Sequence, residues 1–159
     1  MKYFFATTSN KNFWKKKDDT IFAGEWCFNL NESKNLKDND IILKYYWLEN
    51  NTVAKFQTES KKIFDQVLPK LSQELNNYLG LKFDTNYYKI LLGNWLMHFI
   101  HQNYAKYNQI IESQKIGKIY TYCLDENDFI YPKDFQQFAE WQDNDNYQLQ
   151  LYSCLIKEM

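Results

Sequence analysis

Lys2-Tyr3-Phe4-Phe5-Ala6-Thr7-Thr8-Ser9-Asn10 is a short apolar run that stops at two threonines, a serine and an asparagine. It reads as a buried strand followed by capping residues. The run is too short for the core of a signal peptide, so the cytoplasm is the expected compartment. A second apolar run, Thr20-Ile21-Phe22-Ala23, breaks at Gly24 and continues as Glu25-Trp26-Cys27-Phe28. Between them, residues 11–17, with Phe13 and Trp14, suit a short helix or turn. Residues 29–40 are polar and loop-like, and Ile41 to Trp47 suits a third strand or an irregular extended piece.

The middle of the chain is helical. Phe64, Leu68, Leu71, Leu75 and Leu79 recur at spacings of four and three, the stripe of an amphipathic helix over Glu59 to Leu79. Thr58 or Ser60 is its expected cap, Gly80 its stop, and Pro69 a kink inside it. A longer helix is expected from Thr85 to Ser113, apolar around most of its girth, with Trp95 and Phe99 largely buried. Lys118 to Leu124 reads as a last strand, ending in Asp125-Glu126-Asn127-Asp128. Pro132 then suits the first turn of a helix through Trp141. Asp143-Asn144-Asp145-Asn146 caps a final helix, Tyr147 to Glu158. This order predicts one α/β domain over residues 1–159, a Rossmann-like open parallel sheet of three to four short strands with long flanking helices. So thin a sheet implies further strands from more chain or from a partner. Self-association through an open edge or apolar patch is therefore expected.

Composition excludes several functions. The net charge is −1 and every basic side chain is a lysine, so the usual electrostatic footprint for nucleic acid is absent. Without arginine the chain lacks the planar fork that grips phosphate or carboxylate with two bonds. Four glycines can hardly build a phosphate loop, so no cofactor is expected. Cys27, Cys123 and Cys154 are far apart and odd in number, which encodes neither a disulfide framework nor a metal site. No apolar window is long enough to span a membrane.

In open parallel sheets ligands lie beyond the carboxyl ends of the strands. Three groups qualify here. Thr7 and Thr8 could line an anion site at a helix N-terminus, or merely cap that helix. Glu25 could be a general base and Trp26 a stacking platform, with capping and core packing as the alternatives. Asp125 and Glu126 supply further carboxylates. His98 and His101, three apart on the long helix, are the only histidines; His98 is an alternate base and the pair is a weak metal signal.

Phe5-Ala6-Thr7-Thr8 with Phe13-Trp14, Ala23-Gly24-Glu25-Trp26-Cys27, Tyr88-Lys89-Ile90-Leu91-Leu92-Gly93-Asn94-Trp95-Leu96 and Leu149-Gln150-Leu151-Tyr152-Ser153 follow one another in a specific order. In that order the chain resembles the N-terminal region of a family of transferases from bacterial surface-polysaccharide (lipopolysaccharide-type) biosynthesis loci. Asn94 stands where that family has proline, and Gln148 where it has asparagine. The resemblance implies half of a two-domain glycosyltransferase-like architecture, its acceptor side. The partners would be a sugar acceptor and a sugar-nucleotide donor, the donor held by a C-terminal domain outside this chain. No site residue is carried over from the family. The competing expectation is a non-catalytic interaction or scaffolding domain, and the convergence of Thr8, Glu25, Trp26 and Asp125 on one cleft would separate the two.

Overall fold

Tyr3 to Ala6 are buried in succession, the pattern of a strand with sheet neighbours on either side and cover on both faces. In the computed structural model, which describes residues 2–14, 18–28, 36–45 and 50–159, this segment is β1 (Lys2–Ala6). It pairs in parallel with β2 (Thr20–Phe22) and with β4 (Lys118–Tyr120), while β3 (Ile41–Ile42) pairs in parallel with β2. The order is β3-β2-β1-β4, that of the first four strands of a doubly wound nucleotide-binding sheet. The α/β open parallel sheet expected from the sequence is thus present, with all four strands. The strand expected from Ile41 to Trp47 ends at Ile42, with residues 43–45 irregular; residues 46–47 and parts of the segments 11–17 and 29–40 lie outside the described residues.

The chain divides into two units, residues 1–45 with 106–159 and residues 46–105. The first holds the sheet. Its core joins Phe4, Phe5, Ile21, Phe22 and Cys27 to Ile110 and Tyr152, contributed by the C-terminal part of α2 (Thr85–Ile116) and by α4 (Asp145–Glu158). Register is anchored beyond the ladders. The Thr121 hydroxyl donates to the carbonyl of Phe5 at 2.6 Å, and Asp40 accepts from the amides of Thr20 and Lys37 at 2.8 and 2.9 Å.

The second unit is helical: α1 (Asn50–Leu79) and the first part of α2. Phe64, Leu68, Tyr88, Leu96 and Ile100 form its core. The turn between the helices is tightly specified. Gly80 takes φ +66, and the Leu81 amide donates to the carbonyl of Asn76 at 2.9 Å, a Schellman closure that needs a left-handed residue. Asn76 accepts from the Phe83 amide and the Tyr88 hydroxyl, and donates to the Phe83 carbonyl.

Several boundaries differ from the sequence expectation. α1 begins at Asn50, nine residues before Glu59, so neither Thr58 nor Ser60 caps it. The Thr58 hydroxyl donates back to the Ala54 carbonyl within the helix. α2 runs unbroken through Asn94, but Trp95 and Phe99 are only half-buried, stacked on each other at 5.5 Å; Leu96 and Ile100 take the core positions. α3 (Phe135–Glu140) starts after Asp134, whose carboxylate accepts from the Gln137 amide, a stronger start signal than Pro132. Asn144 caps α4 by accepting from the Tyr147 amide, which places Asp145 inside the helix.

Ser60 is fully buried and its hydroxyl has no hydrogen-bond partner among the described residues. A buried hydroxyl without a partner is a burden on the folded state. Ser60→Ala is therefore expected to leave stability unchanged or raise it by up to about 1 kcal/mol in urea denaturation. A loss above about 1 kcal/mol would show that the hydroxyl is satisfied in the folded chain.

Candidate functional site

Because the strands are parallel, the carboxyl ends of β1, β2 and β4 lie along one edge of the sheet. The chain arrives there as Thr7-Thr8-Ser9, as Gly24-Glu25-Trp26 and as the segment after Tyr120. The order reverses between β1 and β4, the point at which such sheets open a crevice.

At the end of β1 the donors are already engaged. Asp145, in the first turn of α4, accepts from the Thr8 hydroxyl at 2.6 Å, the Ser9 amide at 2.9 Å and the Asn10 amide at 3.1 Å. Thr7 and Thr8 are buried. The Trp14 indole donates to the Thr8 carbonyl at 2.7 Å. A carboxylate of the chain thus sits in the turn where nucleotide-binding folds place a phosphate. An anionic ligand reaching these amides must displace Asp145.

The end of β2 is built differently. Gly24 is extended, at φ 178, so it serves no left-handed turn. Its missing side chain matters because a Cβ there would lie 2.7 Å from the Trp26 indole. The glycine lets the indole fold back against the backbone. Trp26 is half-buried and stacks on Tyr152 with ring centres 6.4 Å apart and planes 21° from parallel. Tyr152, fully buried in α4, donates its hydroxyl to the Gln109 side-chain oxygen, and the Gln109 amide donates to the Ala23 carbonyl at 2.7 Å. One side chain of α2 therefore locks the ring plate to the end of β2. Glu25 is exposed beside this plate, close enough to raise the pKa of the Tyr45 hydroxyl, though burial of Tyr45 is the larger cause.

Cys27 and Lys106 complete the surroundings. Burial pushes the Cys27 thiol up to about 12, and it donates to the Ala6 carbonyl at 3.4 Å, a packed and unreactive thiol. Lys106 is 7 % exposed. Its ammonium lies 5.5 Å from the centre of the Tyr152 ring, and among the described residues no hydrogen bond or ion pair is made by it. Burial lowers its pKa to about 8.

The carboxylates after β4 lie elsewhere. Asp125 caps a 3-10 turn, accepting from the backbone and side-chain nitrogens of Asn127. Glu126 is exposed and 3.7 Å from Lys157. Lys157 is twelve residues after Asp145 in α4, roughly 18 Å along a helix axis, so Glu126 belongs to the opposite end of α4 from Thr8. His98 is exposed in the helical unit. His101, its ring tilted against Phe56 at 5.3 Å, has its pKa lowered by burial and by His98. Among the described residues no three His, Cys, Asp or Glu side chains are grouped to hold a metal, and no helix is long and apolar enough to cross a membrane.

Residues of the first, second and fourth ordered motifs do structural work in the sheet unit, while the third, residues 88–96, lies in the helical unit. Gln150 pairs with both backbone groups of Ile130, and the Ser153 hydroxyl accepts from the Leu124 amide. The model of the LIC12162 family transferases matches residues 3–159, across both units. The chain belongs to the LIC12162 family of transferases. No curated protein and no solved structure matches it.

For this LIC12162 family member the sequence reading passed over Lys106 and Gln109. The available signal was a polar stripe, Lys106, Gln109 and Ser113, at spacings of three and four along one face of the helix. All three are buried.

The Lys106 ammonium imposes a stability profile. In the unfolded chain the group holds its proton to about 10.5 and in the folded chain only to about 8. Below pH 8 both states are charged and the fold bears the full cost of burying the cation. As pH rises from 8 to 10.5 the folded state sheds the proton first, and that cost fades. Lys106→Met is therefore expected to be more stable than the parent at pH 7, by up to about 3 kcal/mol. The advantage should shrink as pH rises to 10.5. Cys27 titrates the opposite way but is common to both proteins. Denaturation at a series of pH values checks this, and a pH-independent difference would contradict it.

Proposed function

We propose that the sheet unit is the acceptor side of a glycosyltransferase-like enzyme of surface-polysaccharide biosynthesis, working in the cytoplasm. Family membership supports a transferase. The observation that carries the finer reading is the Gly24-Glu25-Trp26 turn. It sets an exposed carboxylate beside an aromatic plate at the carboxyl end of β2, where open sheets bind ligands. Aromatic faces stack on the apolar faces of sugar rings. In the transfer, Glu25 removes the proton of an acceptor hydroxyl as that oxygen bonds to the anomeric carbon of the donor. The bond from that carbon to the nucleotide diphosphate breaks, and the diphosphate leaves with the electron pair. The sugar-nucleotide donor is assigned to a C-terminal domain beyond these residues.

Buried Thr7, and Thr8 held by Asp145, shape the neighbouring wall in this reading. Asp125 and His98 are weaker choices for the base, Asp125 because its carboxylate is engaged by Asn127. Glu126, at the far end of α4, would meet only an extended acceptor. A second reading, an interaction domain, draws on the helical unit and on the position of Asp125 beside Glu126 and away from Thr8, so that Thr8, Glu25, Trp26 and Asp125 do not all meet in one cleft. Around its turn Tyr78, Phe83, Tyr87, Ile90 and Leu91 are exposed, and aromatic clusters of this kind anchor partner proteins.

Glu25→Gln keeps shape and hydrogen bonding while removing the base. It is expected to lower sugar transfer by the full-length enzyme by roughly 10²–10⁴-fold with little change in stability. If Glu25 serves only to start its 3-10 turn, turnover will stay near the parent's and stability will fall by about 1 kcal/mol. Both quantities are measured on the same variant.

A further inference from the structure

Lys106 is a cation that the fold buries without giving it an anion. Among the described residues its ammonium has the Tyr152 ring, 5.5 Å from the ring centre, and no carboxylate. Of the acidic groups nearby, Glu25 is exposed to solvent beside the plate, and the buried ones are committed or protonated. Asp145 is held by Thr8, Ser9 and Asn10, and the Cys27 thiol is shielded from ionisation by burial. A buried charge of this kind is a standing burden unless a counter-charge arrives, and Lys106 sits on the plate that the candidate site is built from. Trp26 and the Lys106 ammonium both border Tyr152, at 6.4 and 5.5 Å from its ring centre. They are therefore no more than about 12 Å apart, a span that one acidic saccharide covers within a pocket of ordinary size. Gln109 fixes the plate through its bonds to Tyr152 and Ala23.

We infer that Lys106 is the anion-recognising residue of the acceptor site, so that the acceptor carries an oxyanion, a carboxylate or a phosphate, on a sugar ring stacked at Trp26. This inference rests on the acceptor-side reading and specifies the charge of its substrate. Lysine suits the task in a chain without arginine: it meets an oxyanion as a point charge rather than a two-pronged fork. The ligand in turn supplies the charge that the buried ammonium lacks, so binding and relief of the burden are one event.

The test is calorimetric titration of the chain at pH 7 with glucuronate, glucose 6-phosphate and glucose. At least one of the two acids is expected to bind ten-fold or more tightly than glucose, and which one does so identifies the oxyanion. Lys106→Met should abolish that preference, and Lys106→Arg should restore part of it. Lys106→Gln serves if the methionine variant does not fold. Glucose and both acids binding alike, or a preference that survives in the methionine variant, would overturn the inference and leave the acceptor reading standing. If none of the three saccharides binds the parent chain, both fall.

Discussion

The Gln109 side chain is the point on which the sheet unit turns. Its amide nitrogen holds the Ala23 carbonyl at 2.7 Å and its oxygen holds the Tyr152 hydroxyl. Three elements distant in sequence, β2, α2 and α4, are joined by two bonds from one buried group. Buried polar bonds of this type resist loosening because a lost partner leaves a desolvated donor or acceptor. Tyr152 can then serve as a fixed plate, and Trp26, folded against Gly24, has a surface to stack on.

Asp145 makes the complementary link on the other side of β1. Its carboxylate gathers three donors from the turn after the strand, and its place in the first turn of α4 favours a negative charge there. The same arrangement alters the chemistry of the edge. Where a glycine-rich turn would offer free amides to a phosphate, this chain offers amides already satisfied. Among the described residues Lys106, buried against the Tyr152 ring, makes no hydrogen bond or ion pair. In the proposed reading, recognition at this edge falls to rings and a single ammonium.

Much of the sheet was legible in the sequence. The unalternating run Tyr3-Phe4-Phe5-Ala6 could only be a strand covered on both faces, and the glycine after Leu79 could only close a helix. Helix starts were less legible because caps compete: Asp134 outranks Pro132, and Asn144 outranks its neighbours, for reasons visible only once the hydrogen bonds are formed. The half-burial of Trp95 follows from the unit that α2 serves at that point, which periodicity alone does not disclose. At the site, Glu25 and Trp26 were found from strand-end position. Lys106 and Gln109 were not, since a lysine in a helix ordinarily faces water, and only tertiary packing turns it inward.

The central claim is that the carboxyl end of β2, with its Trp26–Tyr152 plate, is where this LIC12162 family member meets its substrate. The most direct measurement follows the five tryptophan indole N–H resonances by NMR while an acidic monosaccharide is added. The account predicts that the Trp26 resonance shifts saturably and that Trp95, in the helical unit, stays in place. A saturable shift at Trp95 with Trp26 unmoved would contradict it.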